Sequence, residues 1–209
     1  MSLEFGYHPL LENYGYFIDR IPQEVFNELK PQIDDLQSNF NKGNKYNHAL
    51  VGEIEHEYKI PPQSKTKQYI KEISQMFENE SQYVTTNYSP IPTLNFSELW
   101  VNFQKKHEYN PVHCHGGLYS FVIWYQIPYL LNEESTFHPQ KQDEYTNGTF
   151  QFLIPEGKMV KNYALDIDKS KEGYVAIFPS NLNHIVYPFY SSDKYRISLS
   201  GNVTSIINN

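Results

Sequence analysis

Cysteine is almost absent. Cys114 is the only one in 209 residues, which excludes an internal disulfide and a zinc site built on several thiolates. Positive charge is also short: 17 Lys and Arg stand against 24 Asp and Glu, a formal net charge of −7. No stretch clusters Lys or Arg, so the chain lacks the basic face that a nucleic-acid partner would need. No apolar run approaches the length of a membrane span. The first ten residues, MSLEFGYHPL, show neither the basic n-region nor the apolar h-region of a signal peptide. Repeats, low-complexity tracts and linkers are missing as well. Together these absences predict a protein of the reducing cytoplasm, with neither membrane nor nucleic acid as a partner.

What the chain has instead is aromatic surface: 18 Tyr, 13 Phe and 2 Trp. Aromatic side chains suit the pleated, half-buried surface of a sheet. Hydrophobic residues at 39% and charged residues at 20% fit a folded chain rather than a disordered one. The length predicts a single domain, residues 1–209, with a substantial core. Nothing in it speaks to oligomeric state.

The texture changes near residue 95. Before it, two segments carry helical periodicity. In 21–40, Val25, Phe26, Leu29, Ile33 and Leu36 recur at helical spacing behind Pro22, with Pro31 expected to kink or split the helix. In 61–84, Tyr69, Ile70, Ile73, Met76 and Phe77 mark an apolar stripe. Between them, NHALVGEIEHEYKI reads as a loop with a short strand. After residue 95 come short strands between turn signals: SELWVNFQKK, LYSFVIWYQIPYLL, NGTFQFLIP behind an Asn-Gly turn, EGYVAIFPS, HIVYPFY and KYRISLSGNV. Strands without intervening helices read as a sandwich or barrel. The expected fold is mostly β with N-terminal helices, of the α+β class. A helical layer over 1–95 packs on a jelly-roll sandwich over 96–205.

Two stretches carry chemistry. In NPVHCHGG, His113 and His115 stand at i and i+2, so an extended backbone points both rings to one side and turns Cys114 away. Two imidazoles aimed at one point are half of a metal site, although an arbitrary His-x-His pair is more often two separately satisfied histidines. Gly116 and Gly117 leave room for close approach of a ligand or backbone. The second stretch, GYVAIFPSNLNHIVYPFYSSDKYRISLSGN, opens a strand on His184 and places Arg196 inside another. There Tyr195, Ile197 and Leu199 share one side, and Arg196, Ser198 and Ser200 the other. An arginine facing a core unpaired is costly, so that second side is either solvent or the lining of a polar pocket. In a pocket, its planar guanidinium would hold a carboxylate through two hydrogen bonds and Ser198 would add a third.

Over residues 96–203 this ordered set resembles the double-stranded β-helix oxygenases that use Fe(II) and 2-oxoglutarate. The family's His-x-Asp/Glu, distal His and Arg-x-Ser fall on His113-x-His115, on His184 and on Arg196-x-Ser198. The sequence is most similar to a small branch that includes phage-encoded proteins, in which case the cytoplasm in question would be the host's. The resemblance implies an enzyme, a 2-oxoglutarate-dependent dioxygenase. Iron would sit on His113, His115 and His184. Arg196 and Ser198 would hold the far carboxylate of 2-oxoglutarate. An unactivated C–H bond would be hydroxylated with release of succinate and CO2. The substrate, a small molecule or a peptide, is unreadable; a prolyl residue is suggested by related enzymes.

His115 departs from the family's carboxylate, and three readings follow: a three-His face, a two-His site with water or an anion in the third place, or a distant carboxylate, Asp143 or Glu144, swinging in. We favour the first, because i, i+2 geometry delivers both rings. Asn102, Trp124 and Tyr125 lie on strands expected to wall the cavity. Trp124 reads as core packing, whereas Asn102 and the Tyr125 hydroxyl are expected to contact the co-substrate. Asn183 precedes His184 and is expected to support it. His48 has a possible place beside the substrate. His8, His56, His107 and His138 read as exposed. The alternatives are a cupin-like three-His dioxygenase that needs no 2-oxoglutarate, for which Arg196-x-Ser198 has no use, and a metal-free jelly-roll binding or structural protein.

Overall fold

The computed structural model describes residues 3–11, 14–89, 91–137 and 146–206. In chain order the elements are β1 (Gly6–Leu11), β2 (Tyr14–Arg20), α1 (Gln23–Ser38), β3 (Asn44–Lys45), β4 (His56–Ile60), α2 (Ser64–Ser81), α3 (Tyr83–Asn87) and β5 (Thr93–Gln104). They continue with β6 (Asn110–His113), β7 (Tyr119–Gln126), α4 (Leu131–Glu134), β8 (Phe150–Glu156), β9 (Met159–Leu165), β10 (Tyr174–Pro179), β11 (His184–Val186) and β12 (Arg196–Ile206).

Both predicted helices form, with differences. In α1, Val25, Leu29, Ile33 and Leu36 are buried along one stripe, as an amphipathic surface helix requires. Pro31 sits inside α1 without splitting it. It is exposed, so water can meet the carbonyl left without a backbone donor. The second helical segment is two helices rather than one: Gln82 takes left-handed φ 51 at the end of α2 and redirects the chain into α3. Met76, counted in the apolar stripe, is 47% exposed.

The larger correction concerns the first 95 residues, which are not a helical layer alone. They supply β1 to β4, all in an eight-stranded sheet of order β1-β2-β10-β7-β12-β5-β4-β3. A four-stranded sheet of order β6-β11-β8-β9 faces it, completing a jelly roll. The N-terminal hairpin escapes a sequence reading because Tyr14–Arg20 is too short to show a period distinct from its surroundings. Its place is decided by β10, which pairs with β2 from Tyr174↔Arg20 to Ile177↔Phe17.

Two apolar clusters result. One lies between the helices and the large sheet and joins Leu29, Ile33, Ile73 and Phe77 to Val101, Phe103, Ile123 and Leu199. The other lies between the sheets and joins Val122 and Trp124 to Phe150, Phe152 and Phe178. Strand alternation sends odd-numbered residues of β5, β7 and β12 to the first cluster and even-numbered ones to the space between the sheets. Gly117 admits the chain into β7 at φ +107, where a Cβ would lie 3.0 Å from the Val203 carbonyl. No helix among the described residues is long and apolar enough to cross a membrane.

Candidate active site

Pairing of β6 with β11 sets His113 directly opposite His184. Just past β6, the His115 backbone N–H donates to the Ser180 carbonyl at 2.7 Å, which holds the third imidazole beside them. One nitrogen from each of the three rings lies within 4.8 Å of the others. The ring centroids are 4.2 Å apart for His113 and His184, 4.9 Å for His113 and His115, and 5.2 Å for His115 and His184. Cys114 between them is exposed.

Backbone carbonyls select the tautomers. Nδ1 of His113 donates to the Pro111 carbonyl at 2.7 Å and Nδ1 of His184 to the Leu182 carbonyl at 2.9 Å. A carbonyl can only accept, so each Nε2 is left with its lone pair free, the form in which imidazole ligates a metal. Burial depresses all three basicities: His113 below its ordinary value, His115 down to about 4, His184 well below the usual range. His113 also disfavours charge on His115, and His113 and His115 together disfavour it on His184. Three neutral nitrogen donors converging at this distance suit a divalent transition metal. The aromatic rings of Phe150 and Phe178, with centroids 5.4 and 5.1 Å from that of His184, wall one side.

The same cavity between the sheets is lined by Arg196, Ser198, Ser200 and Asn102. Arg196 is 4% exposed, which rules out the solvent-facing alternative. Its guanidinium is cradled: Nε and Nη2 donate to Gln104 Oε1, Nη1 donates to the Tyr129 hydroxyl and the Gly148 carbonyl, and Nη2 also donates to the Tyr187 carbonyl. All these partners are neutral. A buried cation with no carboxylate among its hydrogen-bond partners is poorly compensated, and the donor set fits a carboxylate brought by a ligand.

Several expected residues lie elsewhere. Tyr125 is not in the cavity. As an odd-numbered residue of β7 it points to the helices, stacked on Phe26 with centroids 4.7 Å apart. Trp124, read as core, is packed in the cluster between the sheets and also lines the cavity; both faces of β7 are buried. Asn183 is exposed and outside the cavity, and only its carbonyl is engaged, by Leu153 N–H. His48 rests edge-on to Tyr46, while the residues following it, Ala49, Leu50 and Val51, border the cavity. His56 is half-buried and stacked on Phe40, not exposed. His107 takes left-handed φ 72. Asp143, Glu144 and His138 lie outside the described residues.

Three cavity groups and one partner of Arg196 gave no reading from the sequence. Gln104 follows Asn102 by two residues on one strand, so parity could have placed it. Glu57 is an acidic residue at a buried position of β4, but in HEYKI it is the ordinary polar neighbour of Tyr58 and Ile60, so nothing local marks it as buried. Asn110 and Tyr129 carry no local signal: Tyr129 reaches Arg196 from outside any strand.

A family profile described as "Putative 2OG-Fe(II) oxygenase" matches residues 98–202, which include all three histidines and Arg196. The chain belongs to this 2OG-Fe(II) oxygenase family. It is therefore an enzyme that depends on Fe(II) and 2-oxoglutarate. Solved structures agree on the fold. A prolyl-4-hydroxylase from Pseudomonas putida superposes with a TM-score of 0.58 at 13% identity, over 93% of this chain and 94% of that one. The viral collagen prolyl hydroxylase of Paramecium bursaria Chlorella virus-1, in complex with 2-oxoglutarate, gives 0.51 at 14% identity, over 91% and 96%. A search of curated protein sequences finds no match.

Proposed function

We propose that the oxygenase hydroxylates an unactivated C–H bond of a small molecule or peptide, with iron held by His113, His115 and His184. The observation that carries this reading is the convergence of three imidazole nitrogens within 4.8 Å in the cavity that also holds a buried arginine with neutral partners. When bound, iron and 2-oxoglutarate supply oxidative decarboxylation to succinate and CO2 coupled to insertion of oxygen into the substrate. The chain's own groups do the rest. Pro111 and Leu182 carbonyls hold the imidazole tautomers. Arg196, preset by Gln104 and Tyr129, takes the far carboxylate of 2-oxoglutarate, with Ser198 two residues along the same strand face as a further donor. Asn102, lining the same wall, is a polar contact for the co-substrate. Val122, Trp124, Phe150 and Phe178 keep water from the reacting centre.

A peptidyl or free proline is the first substrate class to test, since both superposed structures bear prolyl hydroxylase names. A reducing cytoplasm, the host's if the gene is a phage's, suits a chain whose single cysteine is exposed. The decisive experiment is anaerobic Fe(II) titration with and without 2-oxoglutarate, followed by the visible charge-transfer band. A band that needs both components supports the reading. Stoichiometric metal with no band on adding 2-oxoglutarate sinks it in favour of a dioxygenase that needs no co-substrate.

A further inference from the structure

The sheet face that carries the arginine also carries, two strands away, a carboxyl group that the reading above does not use. Along the large sheet, register places Trp124 opposite Ser198, Ser198 opposite Asn102, and Asn102 opposite Glu57. Neighbouring strands are roughly 4.8 Å apart, so Glu57 stands two strands, roughly 10 Å, from Ser198. It lines the same cavity and is 1% exposed. Its Oε2 accepts one hydrogen bond, from Asn47 Nδ2 at 3.2 Å, and its Oε1 has no partner. Asn102 Oδ1 on the same sheet face and Asn110 Oδ1 on the facing small sheet, both in the cavity lining, are likewise buried without a donor.

Among the described residues no cation pairs with Glu57. The basic side chains around it are engaged elsewhere: Lys105 pairs with Glu55 at 2.6 Å and Lys59 with Glu98 at 2.8 Å. His56, its neighbour in β4, points to the opposite face and stacks on Phe40. The other charge that acts on it is the Glu108 carboxylate, itself held by the Lys105 and Glu55 backbone N–H groups. Desolvation and that like charge push the Glu57 carboxyl up to about 8. The cavity therefore holds a cation lacking an anion and, two strands away on the same sheet face, a carboxyl lacking a cation. Beside the carboxyl stands Trp100, two residues before Asn102 on β5 and part of the lining, an aromatic face of the kind that favours a positive charge.

We propose that Glu57, with Asn102 and Asn110, forms the substrate subsite of this oxygenase and takes a protonated amine. This rests on the cavity being the active site, and it narrows the substrate to molecules that carry a cationic nitrogen. A free amino acid would offer its α-ammonium, and a peptide would offer a lysine side chain. An N-acylated proline inside a peptide offers neither. Entry of the amine ionises Glu57, the proton leaves to solvent, and the carboxylate and the two amide oxygens accept the ammonium N–H groups.

The test uses the full protein with Zn(II) in place of iron and with 2-oxoglutarate. The probes are L-proline and L-lysine, their N-acetyl derivatives, and a lysine-containing peptide blocked at both ends. The Glu57 carboxyl carbon is followed by NMR, identified as the carboxyl signal missing from the Glu57→Gln spectrum. At least one cationic probe should shift it to the ionised position, while the N-acetyl derivative of proline should not. Response to free L-proline assigns an α-ammonium, and response to the blocked peptide assigns a side-chain amine. Glu57→Gln should weaken that amine about ten- to a hundredfold. Gly52→Ala, whose Cβ would fall 2.9 Å from Glu57 Oε1 and 2.0 Å from Asn110 Oδ1, should weaken it independently. The charge-transfer band with Fe(II) and 2-oxoglutarate should survive in both variants; its loss in the parent would instead indict the oxygenase reading. If no amine moves the Glu57 signal at millimolar concentration, or if acetylated proline binds as well as proline, the subsite proposal is wrong.

Discussion

The two faces of the large sheet are made by the same strands and do opposite work. On β5 and β12, Val101, Phe103, Ile197 and Leu199 face the helices and are fully or almost fully buried among apolar side chains. One residue along, Asn102, Gln104, Arg196 and Ser198 face the cavity. The first face gains stability from removing apolar area from water, roughly 25 cal/mol per Å2. The second gives stability up, because buried polar groups without partners cost free energy. Glu57 Oε1 and Asn102 Oδ1 are unpartnered on that side, and the hydrogen-bond partners of Arg196 are all neutral. A sheet can carry such a face only because its other side is closed by α1 and α2.

The strongest way to break this contrast is at the histidines. His184→Ala should abolish stoichiometric metal binding in a protein that still folds, read by metal analysis after anaerobic loading. Retained metal would remove His184 from the site. On the helix side, Phe77→Ala empties a fully buried position and should cost roughly 3–5 kcal/mol in denaturant unfolding, with the charge-transfer band unchanged wherever the protein is folded.

Arg196→Leu comes next. Charge-assisted hydrogen bonds are worth roughly 1.5–3 kcal/mol each, so loss of two should weaken 2-oxoglutarate by about two orders of magnitude or more. Metal content should stay near normal. Calorimetry on the metal-loaded, oxygen-free protein gives the answer, and unchanged affinity would free Arg196 from that role. Lysine at this position should do poorly too, since it lacks the planar fork.

The metal-free protein should show the cavity face in its pH dependence. Between about pH 6.5 and 4 the unfolded histidines take up protons that folded His115, held down to about 4, does not. The unfolded state then binds more protons, so stability falls as pH falls through this window. Glu57 acts in the opposite direction, over a window that overlaps this one. Its folded carboxyl is raised from 4.5 to about 8, so its contribution declines as pH rises across that span, and Glu57→Gln should flatten the decline. Thermal melting across pH, with and without Zn(II), separates the two. The smallest effect is expected at Tyr125→Phe, which leaves the ring stack on Phe26 intact: affinity for 2-oxoglutarate should not change, and stability should move by no more than roughly 0.5 kcal/mol.

Much of this molecule was open to reading from the residues alone, and the limits have one physical origin. Strand alternation is a local property, so it correctly separated Ile197 and Leu199 from Arg196 and Ser198, and it aimed His113 and His115 to one side. Helical periodicity found α1 and α2 for the same reason. The histidine pair and the arginine left a polar pocket as one of two readings, and the order of these residues along the chain, which resembles that of the oxygenase family, supplied the chemistry. Alternation fixes only parity, however, and what covers each parity is decided by packing between segments far apart in sequence. β7 is apolar on both faces, so nothing local told Trp124 from Tyr125; the helices claimed Tyr125 and the small sheet left Trp124 to the cavity. The N-terminal hairpin found its place through β10, more than 150 residues away in the chain. The cradle of Gln104, Tyr129, Gly148 and Tyr187 around Arg196, and the unpartnered oxygen of Glu57, exist only once four separate segments meet, because a hydrogen bond or its absence belongs to a pair of groups and not to either one.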